Sequence, residues 1–123
     1  MAAKPLPDQA TLLKLLRYEP ETGKLYWKHR PLRMFERKSK ESRRKGAWSS
    51  WNDRHAGQEA FTAIAADGYK RGGIFYSLYL AHRVIVCMKT GKRDGFWVLH
   101  RNDDRTDNRW ANLVVKQIGR AQV

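Results

Sequence analysis

An α+β fold is the class this chain predicts, and three observations predict it. Leucines recur at helical spacing near the N-terminus. Short aromatic and β-branched runs punctuated by Gly and Asp fill the middle. Near the C-terminus two apolar segments, "FWVLH" and "NLVV", flank the polar stretch "RNDDRTDNRWA". At 123 residues the chain has room for one domain with a modest core. We divide it into an N-terminal helix and hairpin (1–28), a basic loop region (29–57), central antiparallel strands with a helix (58–95) and a C-terminal hairpin (96–123).

The elements follow in order. Leu12, Leu13, Leu15 and Leu16 predict a helix over residues 8–18, with Asp8 or Thr11 as its N-terminal cap. Glu21-Thr22-Gly23 is a turn signal, and Leu25-Tyr26-Trp27 reads as the strand leaving it. From Lys24 to Gly46, ten Lys and Arg face only Glu36 and Glu41, a net +8 in 23 residues. A charge run of this kind ordinarily forms a solvated loop. Here Trp27, His29, Met34 and Phe35 interleave with the cations, a mixture suited to phosphate contacts and to packing against bases. In the centre, Asp67-Gly68 and Gly72-Gly73 read as turns and "GYKRGGIFYSLYL" as strand. "AHRVIVCMKTG" reads as a helix stopped by Gly91. None of these glycines has the spacing of a phosphate-cradling loop.

Composition narrows the partners. With 25 Lys and Arg against 12 Asp and Glu the formal charge is +13, which points to a polyanion such as nucleic acid. No apolar run approaches the roughly 20 residues of a membrane span, and the N-terminus lacks the pattern of a secretory signal. A single cysteine, Cys87, excludes an internal disulfide and a cysteine-rich zinc site within one chain. Cys87 lies in an apolar stretch and reads as a buried thiol, consistent with a reducing cytoplasm.

The C-terminal hairpin is where chemistry concentrates. Its connecting stretch reads as too polar to be buried. A neutral imidazole held at the end of "FWVLH", at His100, can take a proton from water. Asn amides in the loop can orient it. The stretch "HRNDDRTDNRWANL" resembles the H-x-N-G-D-x-x-D-N-R-x-x-N-L segment of phage and prophage HNH endonucleases, the ββα-metal nucleases. "LLRYEPETGKLYWK" and "WNDRHAGQEAFTAIAADGYKRGGIFYSLYLAHRVIV" resemble the same proteins in the same order. The resemblance implies a ββα-metal hairpin ending in a shortened helix, with His100 as general base and Asn112 holding the loop. It makes Asp107, Asn108 and Arg109 a turn-forming "DNR" element, and His82 and Arg83 packing or backbone contacts on the helix. It implies DNA as partner and Mg²⁺ or Mn²⁺ as cofactor if the protein cleaves.

Two positions depart from the family's pattern. The residue before the general base is commonly a metal-binding Asp, and here it is Leu99, which cannot hold a hard cation. A second ligand is expected nine residues past Asn112, and that position is Ala121. Three explanations stay open: replacement ligands from Asp103, Asp104 or Asp107, completion by a second subunit, or lost cleavage with DNA or a host protein still bound. Lys38, Lys40, Arg43, Arg44 and Lys45 of the basic region, with Arg101 and Arg105 of the hairpin loop, are the expected DNA contacts.

Overall fold

The structure, a computed structural model, describes residues 5–35 and 41–117. Helix α1 (Gln9–Leu15) starts where the sequence supplies a cap: Asp8 stays extended and its carboxylate accepts the Thr11 amide at 2.8 Å. The helix ends earlier than residue 18, because the chain turns extended at Leu16 and Leu16–Glu19 becomes strand β1. β1 pairs antiparallel with β2 (Lys24–Trp27) across a turn closed by Gly23, which adopts φ 79°. β2 then pairs with the short β3 (Glu59–Ala60) to complete a three-stranded sheet.

Residues 29–57 depart furthest from expectation. Instead of a basic loop they contain a 3-10 turn at Leu32–Phe35 and a 15-residue helix, α2 (Glu41–His55). Trp51 of α2 meets Trp27 edge-on, with ring centroids 5.6 Å apart. Asn52 takes the Arg30 backbone from both sides, accepting its N–H at 2.8 Å and donating to its carbonyl at 3.0 Å. Trp48, Trp51, Asn52 and His55 stand at helical spacing, a period that the surrounding charge run obscures in the sequence.

A second sheet joins β4 (Ala63–Ile64), β5 (Lys70–Ile74) and β6 (Ser77–Leu80), all antiparallel. Gly72 and Gly73 do not turn the chain; both lie inside β5. A side-chain carbon on Gly72 would stand 2.6 Å from the Phe61 ring, so this glycine makes room for an aromatic. The reversal falls instead on Phe75-Tyr76, since Ile74 pairs with Ser77. Both turn residues are left-handed, at φ 49° and 68°. Two-residue hairpins require that geometry and normally obtain it from Asn-Gly. Bulky residues held there cost roughly 1–3 kcal/mol each.

Helix α3 (Ala81–Thr90) ends as the sequence predicts, with Gly91 at φ 82° donating to the Cys87 carbonyl at 2.8 Å. It packs on α1, burying Val84, Ile85, Val86 and Cys87 with Leu12 and Leu15, and burial raises the Cys87 thiol pKa. The third sheet is a hairpin of β7 (Phe96–His100) and β8 (Leu113–Gln117). All three sheets contribute to one core, through Leu25, Ile74, Phe96 and Leu113 among others. The expected shortened final helix lies outside the described residues. Among those residues, no helix is long and apolar enough to cross a membrane.

Candidate functional site

Alternation along β7 sets the site. Phe96, Val98 and His100 face inward and are buried, whereas Trp97 and Leu99 face out. His100 sits where the hairpin opens, opposite Leu113, and its Nε2 lies 2.8 Å from Oδ1 of buried Asn108. An amide oxygen only accepts, so Nε2 carries a proton, and in the neutral ring the lone pair is on Nδ1. Among the described residues Nδ1 has no hydrogen-bond partner.

The loop between the strands is held by side chains. Asn112, also buried, donates to Asn102 Oδ1 at 2.9 Å and to the Asp107 carbonyl at 2.8 Å, and accepts the Asn102 amide at 3.1 Å. Asp107 accepts both Nε and Nη2 of Arg109 at 2.8 Å and the Asn102 side-chain amide at 2.8 Å. The Arg109 guanidinium, foremost among these, holds the Asp107 carboxyl far below the usual carboxylate range. Against expectation, part of this polar stretch is buried. Asn108 lies inside because its side-chain oxygen pairs with His100; Asn112, which opens the "NLVV" segment beside it, is buried with its amide making three hydrogen bonds within the loop. Asn108 is therefore more than a turn residue.

The N-terminal hairpin supports this loop from behind. Tyr18 donates to the Asn108 carbonyl at 2.6 Å, and the Trp110 amide to the Pro20 carbonyl at 3.0 Å. A side-chain carbon on Gly23 would fall on the backbone of Asn108 and Arg109. Sequence reasoning missed these contacts because their partners lie about ninety positions apart.

Three rings gather at this point. His82, on α3, meets His100 edge-on at 5.3 Å, and Tyr69 stacks obliquely on His82 at 4.8 Å and on His100 at 5.9 Å. His82 is buried, its Nδ1 has no partner among the described residues, and its pKa is pushed down to about 4 by burial, then by His100 and Arg83. The resemblance points to His82 only as packing; its "AHR" context is the available signal for more. Arg83 does make the expected backbone contact, donating to the Phe96 carbonyl at 3.0 Å.

The loop carboxylates are engaged in turns of the loop. Asp104 accepts the Thr106 amide at 3.0 Å and its hydroxyl at 2.7 Å, which lowers its pKa. Asp103 is a left-handed turn residue at φ 61°. Leu99 is half exposed on the face opposite His100. Among the described residues no three His, Cys, Asp or Glu side chains come together as metal ligands. Ala121 falls outside the described residues.

The expected DNA contacts divide. Arg43, Arg44 and Lys45 stand on α2, and Lys38 and Lys40 lie outside the described residues. Arg101 donates to the Ala111 carbonyl at 3.0 Å. Arg105 folds over the Tyr69 ring, 4.9 Å from its centroid, and donates to the Asp67 carbonyl.

No curated protein and no solved structure matches this chain. A family model does match residues 79–118, a segment that holds α3, the β7–β8 hairpin and the whole His82–His100–Asn108–Asn112 group: that of the HNH endonucleases.

Proposed function

We propose that the chain is a DNA-binding protein of the HNH-endonuclease type, from a phage or prophage and acting in the host cytoplasm, with His100 poised to take a proton from a water attacking a phosphodiester. The observation that carries this is the buried Nε2–H···Oδ1 bond to Asn108, which fixes the ring and leaves the Nδ1 lone pair unused. Asn112 serves to keep the loop, and so Asn108, in place. Mg²⁺ or Mn²⁺ neutralises developing phosphate charge in this class of reaction. Asp103 and Asp104 of the loop are the carboxylates that would hold such an ion beside His100.

Leu99 and Ala121, at the two positions where the resemblance expects metal ligands, favour a second reading. In it the fold has kept its DNA surface, or has taken a host protein as partner, and has given up cleavage. Incubation with supercoiled plasmid and Mg²⁺ or Mn²⁺ separates the two. Relaxation that is abolished by EDTA and reduced roughly 10²-fold or more in His100→Ala supports the first reading. Plasmid binding without relaxation supports the second, and relaxation indifferent to His100→Ala removes the imidazole from the chemistry.

A further inference from the structure

We propose that the cleft between β2, α2 and the β5–β6 turn binds single-stranded DNA, an unpaired base stacking on the Phe75-Tyr76 tip while Arg33 and Arg54 meet its phosphates. The cleft lies outside the segment that matches the HNH endonucleases and goes beyond the His100 chemistry. It is an open cleft of about 970 Å³. Trp27 and Trp51 line it with Arg30, Arg33, Arg54 and the turn, and among the described residues no carboxylate does. Its lining is therefore aromatic and cationic, complementary to a strand that offers base faces and phosphates together. Paired bases in a duplex stack on each other and offer no such faces.

The floor already shows this kind of stacking. The Arg30 guanidinium lies 3.8 Å from the Trp51 ring centroid, 5.2 Å from that of Trp27 and 5.7 Å from that of Phe75. At the rim, Tyr76 is 98% exposed and Phe75 53%. Tyr76 is thus held outward, and Phe75 over the cleft, by left-handed backbone that bulky residues avoid, in a turn where Asn-Gly would be easier. Nothing inside the fold rewards that choice at Tyr76. A local rule broken without internal compensation points to use outside the fold.

The test compares labelled oligo(dT), oligo(U) and a DNA hairpin duplex by fluorescence anisotropy. The double variant Phe75→Gly/Tyr76→Gly removes both rings and suits the left-handed backbone, so the fold is retained. The expected result is that wild type binds oligo(dT) with quenched tryptophan emission. The double variant should then lose roughly tenfold or more in that affinity, with duplex binding changed less than roughly twofold. Arg54→Glu, at an exposed position, should weaken oligo(dT) binding in the same sense. No oligo(dT) binding, equal losses on duplex and single strand, or tighter binding of oligo(U) each overturn the proposal. Because duplex binding and plasmid relaxation are read separately, its failure is distinguishable from failure of the HNH-type reading.

Discussion

His82 keeps a neutral imidazole beside His100, and that has a cost that pH can read. Its pKa is about 4 in the fold, driven down first by burial, against an ordinary value of 6.5. The unfolded chain therefore takes this proton first as pH falls. Stability from this group is complete above about pH 6.5 and declines from there down to about pH 4. Between about pH 7.5 and about pH 4.5 the loss should be about 2 kcal/mol. Urea unfolding at both pH values measures it, and in His82→Gln this part of the fall should disappear; an undiminished fall would assign it to carboxylates instead. At this scale the sequence is informative about His100 and Asn112, whose spacing is local to one hairpin. It is silent on the His82–Tyr69–His100 contacts, because those depend on how α3 and the start of β5 pack against β7.

Among the elements, those with a local cause are legible. The Asp8 cap, the Gly23 turn, the Gly91 stop and the β7–β8 hairpin each follow from a few adjacent residues. α2 is not, since its spaced aromatics stand among cations that usually signal a loop. The β5–β6 reversal misleads because Gly72-Gly73 advertises a turn while Phe75-Tyr76 makes it. The most consequential meeting of elements is Gly23 against the loop backbone. Gly23→Ala encounters both the left-handed φ of 79° and a lack of space, so it should destabilise the fold by about 2–3 kcal/mol. The same change should loosen Asn108 from His100. A lowered thermal midpoint, with faster solvent exchange of the His100 Nε2 proton, is the expected pair of readouts; a wild-type midpoint would show that the turn can yield.

Over the whole molecule, charge favours a polyanionic partner. The +13 balance is plain from composition, but its distribution over α2, the cleft and the hairpin loop needs the fold. Arg101 and Arg105 each spend one guanidinium N–H on a backbone carbonyl of the hairpin or its neighbour and stay exposed, while Arg43, Arg44 and Lys45 share α2. Reversing Arg43, Arg44 and Lys45 to Glu should weaken duplex binding and flatten its salt dependence, by about 0.9 in the log–log slope for each phosphate no longer neutralised. Titrations at several salt concentrations check this, and an unchanged slope would take α2 off the duplex.

The hydrogen bond from Tyr18 to the Asn108 carbonyl spans 90 positions of chain. During synthesis Tyr18 and Gly23 emerge seconds before the loop they are shaped to hold, at about 5–20 residues per second. Closing so long a segment is among the slower steps a chain of this size must take. The loop around Asn108 thus gains its support from Tyr18 and Gly23 only when segments about ninety positions apart meet.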